Sequence, residues 1–300
     1  MIDLGVSNAE FMDRYFEREM LVVRGSADVT GVQWAELSEY VSLLDPSDDS
    51  RIKVFLNGLL PYALYAIRYQ DLDEMRYAVD AADLAQLMLE GATLVLNRLD
   101  LDLNDVALMC QSLSDFLSAK VVANGYVAFG GAGSFGKHWD THDVFAIQWH
   151  GKKRWRIYRP TFELPLATQT SKRHKSECPK TPIFDDVLNA GDVLYIPRGW
   201  WHEATPISGQ ETFHIAAGVH VATRLDYLSW LRSNVLSQQL LGRACVSKDA
   251  YDRDGLQQFA RLVHDAIVAP EHTRDFCGQM SKLRNDFQAI DFDRLIRKTK

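Results

Sequence analysis

The chain has 300 residues, 47% of them apolar, with a formal net charge of −7, nine histidines and four cysteines. Such a chain can bury one large core with a smaller appendage, and its acidic balance argues against general nucleic-acid binding and predicts no direct contact with DNA. No apolar run is long enough to span a bilayer, no signal-peptide pattern opens the chain, and Cys110, Cys178, Cys245 and Cys277 lack CxxC spacing; a reduced, cytoplasmic protein off the membrane is expected.

Ser7 and Glu10 form a capping-box pattern ahead of Phe11, Tyr15, Phe16 and Met20 at helical spacing. "LVVRG" then reads as a short strand and "VQWAELSEYVSLL" as an amphipathic helix. "RIKVFLNG" and "ATLVLNRL" read as strands around a helix "DAADLAQLMLE", and Asn104 caps a helix "DVALMCQSLSDFLSA". From Lys120 to Val221 the texture changes to short strands punctuated by Gly and Pro: "VVANGYVAFGG", "VFAIQWHG", "RWRIYRP", "GDVLYIPRGWWHEA", "TFHIAAGVHV". That pattern predicts an all-β core closed on itself, which removes exposed sheet edges. Thr223 caps a further helix, and "RLDYLSWLRSNVLSQQL", "GLQQFARLVHDAIVA" and "EHTRDFCGQMSKLRNDF" carry helical patterns toward the end. The expected organisation is a catalytic domain over residues 1–222 with its core at 120–222, followed by a helical region over 223–300.

On a strand, residues i and i+2 share a face, so His138 and Asp140 project together and Trp139 opposes them. Chance alone supplies about one H-x-D in a chain of this size, so the pair needs a third donor. "GDVLYIPRGWWHEA" supplies one: a strand, a Pro-Arg-Gly turn, and a second strand opening with Trp200, Trp201 and His202. Two imidazoles and a carboxylate on one face fit the facial triad of non-haem Fe(II) oxygenases, with open coordination positions. Three ligands plus water also fit catalytic zinc, and a surface histidine beside a turn aspartate fits the spacing without any metal.

In "KKRWRIY", Lys153, Trp155 and Ile157 share one face, and Arg154, Arg156 and Tyr158 the other. If Trp155 and Ile157 point inward, Lys153 goes with them. A buried, unpaired ammonium costs several kcal/mol or loses its proton. Fe(II) with one Asp and two neutral His leaves a net positive site, so an anionic ligand spanning metal and Lys153 satisfies both; 2-oxoglutarate has that shape. The alternative is snorkelling, since Lys153 follows a predicted turn from which its head reaches solvent. His142 shares the inward parity of the triad; it suits a group behind the metal or facing substrate, or a core histidine, and His214 is read the same way. Trp139, Trp200 and Trp201 suit walls of the site or plain core. The basic loop "SKRHKSEC" (residues 171–178) suits an acidic substrate or a solvated insertion.

The stretch "ANGYVAFGGAGSFGKHWDTHDVFAIQWHGKKRW", with Gly191 to His202 behind it, resembles the JmjC-type, cupin-like 2-oxoglutarate oxygenases, closest to the ribosomal-oxygenase branch. The resemblance runs from about Ala123 to Val221. It implies an α+β protein with a double-stranded β-helix (jelly-roll) core, N-terminal α/β elements and a C-terminal helical region. It further implies His138, Asp140 and His202 as iron ligands, Lys153 as the basic group for the distal carboxylate of 2-oxoglutarate, and Tyr126 and Asn124 as cosubstrate contacts. Near Ala216 the family carries a Ser or Thr that helps hold the cosubstrate; alanine is a departure. The branch continues through a helical dimerisation region into a winged-helix domain. The residues after Ala222 suffice for the helices only, so a homodimer through them is expected and the ribosomal substrate stays open among proteins, peptides and other targets. The implied activity is hydroxylation of an amino-acid side chain. Two rivals differ in cosubstrate: a cupin isomerase or dioxygenase working without 2-oxoglutarate, and a non-catalytic cupin that binds a peptide.

Overall fold

The computed structural model describes residues 2–131, 133, 135–246 and 253–281. Its contacts divide into one unit made of residues 1–117 and 121–220 and a second made of 118–120 and the residues from 221 on.

The first unit opens with α1 (Asn8–Glu10), capped by the Ser7 side chain, which accepts from the Glu10 N–H. It continues as a single wide turn over Phe11–Tyr15 and stops there, short of the Met20 expected from the spacing. The chain leaves helical geometry at Phe16, and Glu17 follows in the left-handed region at φ 56°. The interruption seats Phe11 fully buried among Phe116, Phe145 and Tyr195.

Then follow β1 (Leu21–Val23), α2 (Trp34–Ser42) and β2 (Ile52–Phe55). Next come the hairpin β3 (Ala66–Asp71) and β4 (Glu74–Val79), which the sequence reading did not anticipate. Its alternation is weak because both faces are largely exposed. Helix α3 (Ala81–Leu89) is capped by Asp80, β5 (Thr93–Leu96) follows, and α4 (Asn104–Leu117) begins at Asn104 itself.

The β core comprises β6 (Lys120–Ala128), β7 (Asp143–Tyr158), β8 (Phe184–Asn189), β9 (Val193–Ile196), β10 (Trp201–Pro206) and β11 (Thr212–His220). One sheet runs β1-β9-β7-β11-β6-β5-β2, and β8 and β10 flank the later half of β7 in a second. The pairings of β1 with β9, β2 with β5, β5 with β6, and β7 with β8, β9, β10 and β11 are antiparallel. The arrangement is the double-stranded β-helix expected of an α+β chain.

"VFAIQWHG" and "RWRIYRP" are not two strands joined by a turn but one strand of 16 residues. The register against β11 slips at Phe213/His214, where Gln148 and His150 of β7 face consecutive partners and Trp149 is the extra residue. Such a bulge lets a strand pass from one sheet to another. Gly151 sits beside it at φ 63°, where an added Cβ would lie 1.9 Å from the Glu211 carbonyl oxygen, so glycine is required. The bulge also inverts parity: Val144 and Lys153 are nine positions apart, which would oppose them on an ideal strand, yet both face the same interior cavity. Beyond the bulge, Lys153, Trp155 and Ile157 are buried. Arg154 and Arg156 point outward to Asp185 of β8, and Arg156 also reaches Glu203 of β10.

In the second unit Thr223 and Asp226 form a reciprocal capping box that starts α5 (Arg224–Asn234). After α6 (Leu240–Arg243), helices α7 (Arg253–Val268) and α8 (Pro270–Ser281) follow, with Leu231, Leu236 and Ala266 forming a small core. The helical expectation for residues 282–287 lies outside the described residues. Among the described residues no helix is long and apolar enough to cross a membrane. The four cysteines are unbridged, with only Cys110 buried.

Candidate metal centre

His138 precedes β7 and pairs with β10 as an isolated bridge: its N–H donates to the His202 carbonyl at 3.1 Å, and the His202 N–H donates back at 2.8 Å. Two residues 64 positions apart in sequence are thereby cross-strand neighbours. Asp140 is held by its own carbonyl, which accepts from the Gly199 N–H at 3.0 Å. Gly199 is the hinge of the Pro-Arg-Gly turn: its φ is 83°, and a Cβ would stand 2.4 Å from the Phe162 carbonyl oxygen.

The ligand atoms of His138, Asp140 and His202 lie within 4.8 Å of one another. Asp140 presents its two oxygens to the two Nε2 atoms, at 3.9 Å from His138 and 3.5 Å from His202. Each imidazole directs Nδ1 at a backbone carbonyl, His138 at Gly136 and His202 at Trp200, both at 3.0 Å. With Nδ1 donating there, each Nε2 presents a lone pair to the centre, the tautomer a metal requires.

Burial would raise the Asp140 carboxyl, but the hydrogen bond from His202 and the neighbouring His138 and His142 rings hold it well below the usual carboxylate range. Burial and then the facing His202 ring lower His138. Burial also opposes charge on His202, yet Asp140 wins and raises it. Without a metal, the carboxylate therefore favours a proton on the imidazole beside it. The donor set fits a divalent transition metal with positions left open toward the cavity.

That cavity, about 90 Å³, is lined by Tyr126 and Thr93 from one sheet, Lys153 and Trp155 from the later half of β7, and His214 and Ala216 from β11. Lys153 is 4% exposed, so its head does not snorkel to solvent. Burial pushes its amine down to about 7, and its Nζ lies 3.4 Å from His214 Nδ1. Tyr126 stacks on His214 with ring centroids 4.8 Å apart; burial and then Asp140 raise its phenol, keeping it a neutral hydrogen-bonding group.

The other candidates are placed elsewhere. Asn124 is two residues from Tyr126, but its Oδ1 accepts from the Arg98 N–H at 3.0 Å, bracing a left-handed residue (φ 58°), and it is not among the residues lining the cavity. Trp139 and Trp201 pack with Tyr158 and Phe162, and Trp200 packs with Trp155 and Ile157. These three tryptophans are core rather than cavity wall. His142 stands behind Asp140, against His220 and over Gly218, where a Cβ would come 2.5 Å from its ring. Loop 171–178 forms two short turns, with His174 bonded to Glu177 and packed on Phe162. Phe135 was not anticipated: it lines the cavity edge-on to Tyr126 and packs on Phe55. A lone aromatic in a glycine-rich loop was its only sequence signal.

Residues 99–227 match the JmjC domain family. The chain is similar to the bifunctional lysine-specific demethylase and histidyl-hydroxylase NO66 of Drosophila melanogaster, 39% identical over 184 residues that make up 61% of this chain and 27% of that protein. It is also similar to the protein of that name from Dictyostelium discoideum, 25% identical over 283 residues, 91% of this chain and 52% of that one. The chain spans about half the length, or less, of the curated relatives it matches. Among solved structures it is similar to the Escherichia coli ribosomal oxygenase YcfD in complex with cobalt and 2-oxoglutarate, with a TM-score of 0.60 at 17% identity over 94% of this chain and 72% of that one. That likeness establishes the shared fold.

Proposed function

We propose that this chain, which carries a JmjC domain over residues 99–227, is an Fe(II)- and 2-oxoglutarate-dependent oxygenase that hydroxylates an amino-acid side chain of a protein. One observation carries the reading: a two-histidine, one-carboxylate cluster and a fully buried lysine line the same small cavity. A structural metal site has no use for the lysine, and an apolar peptide pocket has no use for either.

In this reading His138, Asp140 and His202 hold the iron, oriented by the carbonyls of Gly136 and Trp200. Bound iron with 2-oxoglutarate and O2 supplies the oxidising chemistry, with decarboxylation to succinate and CO2 and delivery of one oxygen atom into a C–H bond. Lys153 neutralises the distal carboxylate, which in turn supplies the anion its buried ammonium lacks. Tyr126, kept neutral, donates a hydrogen bond to the same ligand. Trp155 and Val144 exclude water from the cavity.

Ribosomal proteins are the first substrate class to test, supported by the ribosomal oxygenase among the similar structures and the histidyl-hydroxylases among the similar sequences. A cytoplasmic setting, no direct DNA contact and a homodimer through the C-terminal helices complete the proposal. Titration of Mn(II)-loaded protein with 2-oxoglutarate, followed by mass spectrometry of ribosomes incubated with Fe(II), ascorbate and 2-oxoglutarate, tests it. Saturable binding and a gain of one oxygen on a ribosomal protein are expected. Absence of 2-oxoglutarate binding at any metal loading removes the oxygenase reading, and binding without ribosomal modification redirects it to other proteins.

A further inference from the structure

We propose that His214 is a positioning residue for the cosubstrate: its Nδ1 fixes the head of Lys153 so that the remaining ammonium donors meet the distal carboxylate, in a site where Ala216 offers no hydroxyl. The inference rests on the oxygenase reading above.

Lysine ends in a compact charge on a flexible four-carbon stem, and three donors leave its direction undetermined. In this cavity the direction is determined. His214 Nδ1 stands 3.4 Å from Lys153 Nζ, and both side chains are 4% exposed. The imidazole is itself held from two sides. It lies nearly parallel to Tyr126, at 11° and 4.8 Å, and edge-on to Trp155, at 89° and 5.3 Å. A ring clamped this way cannot swing away when the lysine bonds to it. Burial, and then the adjacent Lys153, push its pKa well below the ordinary histidine value, so the ring is neutral, and in the tautomer with its proton on Nε2 the Nδ1 accepts from Lys153.

The backbone explains how the two side chains meet. Lys153 follows the β7 bulge and His214 follows the register slip on β11 opposite it. One irregularity therefore turns both residues into the cavity. His214 and Ala216 share a face of β11. The methyl of Ala216 has no hydrogen-bonding group, so the polar atom that β11 places beside Lys153 is the His214 nitrogen.

Calorimetric titration of the Mn(II)-loaded protein with 2-oxoglutarate and, in parallel, with 2-oxobutyrate, which lacks the distal carboxylate, tests this. His214→Phe keeps an aromatic ring against Tyr126 and removes the acceptor. It is expected to weaken 2-oxoglutarate roughly 10- to 100-fold, the range for losing a hydrogen bond to a charged group, and to leave Mn(II) and 2-oxobutyrate affinities unchanged. His214→Gln, with an amide oxygen to accept, and the double variant His214→Phe/Ala216→Ser should each recover part of the loss. Equal weakening for both ligands, or none for either, overturns the positioning role while leaving the oxygenase reading in place. Wild-type protein that fails to bind 2-oxoglutarate overturns both.

Discussion

Replacing Lys153 with methionine should stabilise the metal-free protein and sharply weaken the response of the Mn(II)-loaded protein to 2-oxoglutarate. Among the described residues no anionic side chain pairs with the buried amine, and its pKa falls from 10.5 to about 7. At a pH of about 7.5 the unfolded chain carries this proton almost completely and the folded chain mostly lacks it. The three-unit mismatch costs about 4 kcal/mol at ~1.36 kcal/mol per unit. Methionine fills similar volume without a charge, but His214 loses its partner, at ~1–2 kcal/mol. The net gain is about 2–3 kcal/mol, a rise of roughly 4–10 °C in Tm.

The pH dependence has a fixed sign. Above 10.5 the amine is neutral in both states and there is no penalty; the penalty grows as pH falls toward 7 and is constant below it. The advantage of the variant should therefore appear between those values and then level off. Adding 2-oxoglutarate to the Mn(II)-loaded protein at about a hundred times its wild-type Kd should raise wild-type stability by ~2.7 kcal/mol and the stability of the Mn(II)-loaded variant far less. Differential scanning fluorimetry across pH reads both effects. A variant no more stable than wild type, or an advantage equal at pH 6.5 and above 10.5, would refute the burial argument.

Mn(II) affinity should fall as pH drops through the raised His202 pKa, which lies above 6.5, because the proton that Asp140 holds on the imidazole must leave before a metal binds; calorimetry in buffers of different ionisation enthalpy should register its release. Gly199→Ala, which sets a Cβ 2.4 Å from the Phe162 carbonyl oxygen at φ 83°, should destabilise by about 2 kcal/mol or more and weaken metal binding, because the same turn anchors Asp140. Denaturation and Mn(II) titration of one preparation check this; unchanged metal affinity in the folded variant would separate the turn from the centre. Gly218→Ala should push His142 from its seat behind Asp140 at a cost of ~1–3 kcal/mol. The readout is the Mn(II) Kd, and a wild-type value would mean that His142 is packing alone.

Strand alternation in "KKRWRIY" put Lys153 on the face of Trp155 and Ile157 from sequence alone, because a period of two admits no other arrangement along that stretch, while the burial of its head, against the snorkelling alternative, was decided by tertiary structure. The i, i+2 pairing of His138 with Asp140 and the Ser7 and Thr223 caps were legible for the same reason: each depends on neighbours a few positions apart. Non-local pairing escaped the sequence. The β3–β4 hairpin has little apolar contrast between its faces, so its alternation carries no signal. Asn124 and Tyr126 look equivalent on β6, and only the approach of Arg98 from a distant turn draws Asn124 away. The β7 bulge at Trp149 is fixed by its register against β11, which no local window contains. Local periodicity assigned each side chain to a face of its own strand; tertiary structure alone decided which faces meet, and so seated His214 against Lys153 beside the three metal donors.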